Sequence, residues 1–155
     1  MDINGLVNAI QTLNAEDAIR ARLSGEQWRV IAPYLTRHEI RAGDLLIKQG
    51  DTDRSLYFLG QGNLQVFVSG GPPGSSKIAI LRAGSIVGEP GLFVDGPRMA
   101  NVEAMTACIV WALRGPRLEE LAMRLPALAL ELLRAAGGVM AIRMRATLQR
   151  QTPFI

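Results

Sequence analysis

SLYFLGQGNLQVFVS, Ser55 to Ser69, is two runs of apolar and aromatic residues broken by Gly-Gln-Gly. Each run has the length of a short strand, and glycines at the break supply a turn. Outward from this pair, HEIRA, LLIKQ, KIAIL, SIVG, MANVEA and CIVWAL have the same character. Between them fall AGD, GDTD, GGPPGSS, RAG and one longer interruption, Gly88 to Ala100. Short strands cut by closely spaced turns predict an eight-stranded antiparallel β-roll, a double-stranded jelly roll, over residues 37–114. GGPPGSS, Gly70 to Ser76, is expected to be an exposed hairpin loop; it lacks the Gly-Lys-Ser/Thr of a P-loop.

The flanks, residues 1–36 and 116–150, are helical in pattern. Leu6, Val7, Ile10 and Leu13 predict a helix from about Leu6 to Leu23. Ser24 then reads as the N-cap of a second helix, with Glu26 and Gln27 in its first turn and Pro33 near its end. After the strands, RGPRLEELAMRL gives a short helix stopped near Pro126, followed by a long one. In and just before the long helix, Leu125, Leu128, Leu132, Ala135, Val139, Ile142 and Ala146 form an a/d seam. Leu133, Met140 and Met144 make a second stripe beside it. One stripe suffices to cover a helix's own sheet, so the second predicts a homodimer through this helix. Gly137-Gly138 marks either a bend or a close approach of backbones.

At 155 residues, 48% hydrophobic and 20% charged, the chain suits one domain, 1–155, with its own core. The N-terminus lacks the basic and apolar regions of a signal peptide, and no window is apolar enough to span a membrane. A soluble cytoplasmic protein is expected. A lone Cys108 excludes an internal disulfide and a cysteine zinc cluster, and a lone His38 excludes a multi-histidine metal site. Ser55 and Ser85 have no adjacent base in the sequence. No enzyme, metal or cofactor is expected. The net charge is +3, with Arg134, Arg143, Arg145 and Arg150 forming a basic end without acidic residues. No aromatic residues lie between these arginines for base stacking, so they read as a solvated helix face rather than a nucleic-acid surface.

The interruption GEPGLFVDGPRMA, Gly88 to Ala100, is where chemistry concentrates. Pro90 suits the first turn of a short helix, whose free amides and positive end favour an anion. Arg98 adds a planar fork of donors matched to phosphate. Glu89 would be repelled by that phosphate unless it faced another part of the ligand, such as the hydroxyls of a sugar. Phosphate on one side and ribose on the other describe a nucleotide. On spacing alone, a simple surface ion pair between Glu89 and Arg98 is equally open.

The surrounding residues resemble the cyclic nucleotide-binding domain family over Leu23 to about Arg145. One segment, KQGDTDRSLYFLGQGNLQVF (Lys48 to Phe67), is similar to the family's QGD…LYFI..G.L.V pattern and speaks for fold. The other, GSIVGEPGLFVDGPRMANVEA (Gly84 to Ala104), resembles its phosphate-binding cassette. The resemblance implies that Arg98, after Pro97, holds the cyclic phosphate and Glu89 accepts from the ribose 2′-hydroxyl. It implies close backbone approach at Gly88 and amides of Gly91 and Leu92 facing the phosphate. Leu81, Ile86 and Val87 lie on strands that wall the base pocket in the family. Many relatives carry Ser or Thr after the arginine; here Met99 stands there, followed by Ala100. A polar pair on the family's long helix covers the base, and counting from Pro126 puts it at Arg143 and Met144. Ordinary solvation of Arg143 is the plainer expectation.

The resemblance thus implies a sensor of cyclic AMP, or less favourably cyclic GMP, reporting through its C-terminal helix to an effector protein. Only QTPFI follows that helix, which argues against a helix-turn-helix and direct DNA binding. The competing expectations are a roll that no longer binds mononucleotides and serves in protein contacts, or a binder of cyclic dinucleotides.

Overall fold

The computed structural model describes residues 1–71 and 77–151. The expected GGPPGSS loop therefore lies mostly outside the described residues. Eight antiparallel strands form two four-stranded sheets. The strands are β1 (Thr36–Ile40), β2 (Leu45–Ile47), β3 (Leu56–Gln61), β4 (Leu64–Phe67), β5 (Lys77–Leu81), β6 (Ile86–Val87), β7 (Asn101–Ala104) and β8 (Cys108–Leu113). One sheet runs β1-β8-β3-β6 and the other β2-β7-β4-β5. This is the β-roll expected, and the CIVWAL run is a strand over its whole length.

Around it lie α1 (Ile3–Thr12), α2 (Gly25–Ile31), α3 (Gly115–Arg124) and α4 (Pro126–Gln151). Ser24 caps α2 as expected, in a reciprocal box with Gln27: Ser24 Oγ accepts from the Gln27 amide, and Gln27 Oε1 from the Ser24 amide. Beyond Ile31 the chain tightens into a 3-10 turn, Ala32–Tyr34, containing Pro33. The helix predicted to reach Leu23 stops at Thr12 instead. From Leu13 to Ser24 the chain is irregular because distant partners hold it. Ala18, Ile19 and Leu23 are buried, and the Arg22 amide donates to Glu131 Oε1 at 2.7 Å. Tertiary contacts here override helix propensity.

β3 and β8 are covered on both faces, which is why they read as continuous apolar runs. Successive side chains alternate between two cores. Leu56, Phe58, Trp111 and Leu113 face the helices, where Phe58 meets Trp28 edge-on at 5.7 Å. Tyr57, Leu59, Val110 and Ala112 face the interior between the sheets. The a/d seam of α4 buries Leu132, Ala135 and Val139 in the helical core. Of its second stripe, Leu133 and Met140 are half-buried and only Met144 is exposed, at 60%. Neither glycine breaks α4. A Cβ on Gly137 would make ordinary contact with the Phe93 ring at 3.6 Å and one on Gly138 would meet nothing within 4 Å, so the pair marks neither the bend nor the backbone approach expected. Among the described residues no helix is long and apolar enough to cross a membrane.

Candidate nucleotide site

The interruption Gly88 to Ala100 folds over the open end of the roll. Gly88 takes φ +87°, and a Cβ there would meet Ser55 O at 2.8 Å. A side chain at this position is excluded both by conformation and by space. Glu89–Leu92 follow as a single 3-10 turn with Pro90 in its first half. The Gly91 amide closes that turn on Gly88 O at 3.2 Å. Arg54 braces it from outside, donating Nε to Gly91 O and pairing Nη1 with Asp95, each at 3.0 Å.

The QGD segment contributes more than a turn. The Arg98 amide donates to Asp51 O at 2.7 Å, and the Gly50 amide donates to Arg98 O at 2.9 Å. These two bonds fix the backbone from which the arginine projects. Its guanidinium is buried and donates Nη1 to Gly88 O at 2.9 Å and Nη2 to Ser55 O at 2.6 Å. Asp53 Oδ2 stands 3.5 Å from Nη2. Nε is buried without an acceptor.

Asp53 was not singled out in the sequence. It accepts from the Ser55 amide and hydroxyl and from the Tyr57 hydroxyl, at 3.0–3.1 Å. Burial raises its pKa, but the bonds from Ser55 and Tyr57 and the charge of Arg98 outweigh that and lower it below the usual value. Tyr57 is pushed up, first by burial and then by the Asp53 charge. Positions 53, 55 and 57 alternate, and that period of two was the signal available.

Glu89 and Arg98 do not pair with each other. Glu89 is 4% exposed and meets Arg143 of α4, whose Nη1 lies 3.0 Å from both carboxylate oxygens. The same arginine donates Nε to Asp17 Oδ2 and Nη2 to Ile86 O, both at 2.9 Å. Arg143 is therefore not a solvated helix residue. It joins the N-terminal segment, the cassette and β6 to α4.

A cavity of about 640 Å³ opens among these elements, within the range of small-molecule sites. Gly88, Glu89, Gly91, Pro97, Arg98, Met99, Ala100, Leu81, Val87 and Arg143 all line it. Ile86 and Leu92 do not; both pack on the helical core. Ile86 and Val87 are neighbours on one strand, so only one of them can face the cavity. From α4 the wall receives Ile142, Ala146 and Thr147, not Met144. Met99 is 80% exposed at the rim.

The family model of the cyclic nucleotide-binding domain matches residues 37–124. The chain belongs to that family. It is 29% identical over 104 residues to a cAMP-dependent protein kinase regulatory subunit of Blastocladiella emersonii. That match covers 67% of this chain and 26% of the relative, so the chain spans about a quarter of the regulatory subunit's length. Among solved structures, a cyclic nucleotide-binding domain from Methylobacillus flagellatus superposes with a TM-score of 0.80 at 20% identity, over 99% of this chain and 84% of that one. The catabolite activator protein of Thermus thermophilus gives a TM-score of 0.71 at 25% identity, over 86% of this chain and 61% of that one.

Proposed function

We propose that the chain is a sensor of a cyclic mononucleotide, cyclic AMP ahead of cyclic GMP, acting as a binding module without catalysis. The observation that carries this reading is that Arg98 and Glu89 share the wall of one cavity while holding different partners. Arg98 takes the cyclic phosphate. Its Nε has no acceptor among the described residues, and a phosphate oxygen would satisfy it once the buried guanidinium turned toward the cavity. Glu89 takes the ribose 2′-hydroxyl. A carboxylate offers about four lone-pair positions, so two bonds from Arg143 leave capacity for the sugar. Gly88 and Gly91, which line the cavity without side chains, let the backbone approach the phosphate, while Leu92, expected to face it, lies outside the lining. Pro97, Met99 and Ala100 form the rim, and the base lies against Leu81 and Val87.

The signal passes through Arg143. A ligand on Glu89 touches the carboxylate that already ties the cassette to α4, so cassette and helix respond together. Such a shift requires different affinities for two arrangements of the helix. The output is contact with an effector protein. The second stripe of α4, Leu133, Met140 and Met144, of which Met144 is more than half exposed, is the proposed contact between two copies of the chain.

Calorimetry against cyclic AMP, cyclic GMP and a cyclic dinucleotide, with Arg98→Ala as control, tests the reading. A second reading, a roll that no longer binds mononucleotides, is favoured by the saturation of Arg98 Nη2 and by Asp53 beside it. The absence of any thermal shift with millimolar ligand would establish that second reading, since saturation at 100 times Kd adds about 2.7 kcal/mol.

A further inference from the structure

A second groove, of about 270 Å³, lies between the segment Ala18–Arg22 and the outer side of α4. Arg20, Arg22 and Arg134 line it, with Glu131 as its one carboxylate. Its floor is apolar, built from Ala135, Val139 and Ile142, and Gly138 leaves it open. Glu131 does not neutralise the three cations. One oxygen accepts from the Arg22 backbone amide at 2.7 Å, and the other lies 3.9 Å from Arg134 Nη1. The guanidiniums of Arg20 and Arg22 have no hydrogen bond or ion pair among the described residues.

We propose that this groove is a second ligand site, for a small molecule carrying a di- or triphosphate group. A concavity lined by three arginines and one carboxylate concentrates anions from solution. A carboxylate presents two oxygens in one plane and satisfies a single guanidinium fork. An oligophosphate presents tetrahedral sets of oxygens and several charges, which suits guanidinium groups supplied from two chain segments. The site is separate from Arg98 and does not depend on the nucleotide reading of the first cavity. It lies against the same stretch of α4, since Ile142 lines both cavities. An anion there would clamp Ala18–Arg22 onto the helix, close to the Asp17–Arg143 bridge.

The test is a titration with pyrophosphate and with adenosine triphosphate at fixed ionic strength, followed by calorimetry and thermal shift. Two probes are needed because the phosphate chain can arrive free or on a nucleoside, and the tighter one identifies the carrier. Binding should weaken by at least about tenfold in Arg20→Ala/Arg22→Ala/Arg134→Ala. It should persist in Arg98→Ala, whose loss of cyclic nucleotide response belongs to the first site. Equal binding by the triple variant, or equal protection of the parent by citrate, would overturn the proposal. These exposed arginines carry no core, so the triple variant should unfold at nearly the parental temperature, which is checked first.

Discussion

Arg143 holds Glu89 with a single nitrogen, Nη1, placed 3.0 Å from each carboxylate oxygen across 54 residues of chain. The glutamate side chain is 6% exposed and the arginine 25%, so the pair is largely out of water. Arg143→Ala leaves a buried carboxylate without its counter-ion. Stability should fall by about 3 kcal/mol, read by urea denaturation. Arg143→Met with Glu89→Gln should recover part of that loss, because the buried charge at position 89 is gone while Asp17 and Ile86 O still lack their donor. A single variant as stable as the parent would show that Glu89 finds another partner.

Arg98→Ala should raise the Kd for cyclic AMP about tenfold or more, at 1.5–3 kcal/mol for a charge-assisted bond. The same change strips Gly88 O and Ser55 O of their donor, so the melting temperature should fall as well. Arg98→Lys keeps the charge but not the fork, and its affinity should lie between the two. Calorimetry on the three proteins separates these outcomes.

Asp53 contributes to acid sensitivity. Its folded pKa lies below the ordinary 3.8, so its stabilisation is complete above that value and is lost as pH falls through the lowered one. Between about pH 5 and pH 2 the parent should lose stability more steeply than Asp53→Asn. At neutral pH the asparagine variant should bind cyclic AMP more tightly, since a negative charge beside Arg98 is removed. Parallel stability curves for the two proteins would exclude Asp53 as the acid-sensitive group.

Two glycine substitutions should act in opposite directions. Gly88→Ala forces a Cβ into a left-handed backbone and against Ser55 O, and should cost about 1–2 kcal/mol or more. Gly138→Ala meets nothing within 4 Å and lies inside a helix, so it should stabilise by about 1 kcal/mol. Denaturation midpoints read both.

What could be read from residues alone followed the range of the interactions. The roll was legible because strand length, alternation and turn glycines are local, and the Ser24 N-cap was legible because its bond spans three residues. The segment Leu13–Ser24 was misjudged because it is held by Glu131 and Arg143, 109 and 126 residues away. Arg143 illustrates the same limit: the family resemblance, carried along the helix from Pro126, placed it near the cavity, but nothing local indicated that it would turn to Glu89 rather than to solvent. Asp53 lay in a segment read only for fold, although its alternation with Ser55 and Tyr57 was visible. Ile86 was grouped with Val87 although adjacent strand residues face opposite ways.

The three-way hold of Arg143 has a consequence for the order of synthesis. Asp17, Ile86 and Glu89 leave the ribosome well before the residue that joins them, and a domain generally folds as a unit. Until α4 follows, Asp17 and Glu89 lack the counter-ion that the helix supplies and the cavity lacks one wall. Ligand capture should therefore be a property of the completed domain, acquired in one of the last steps of its folding.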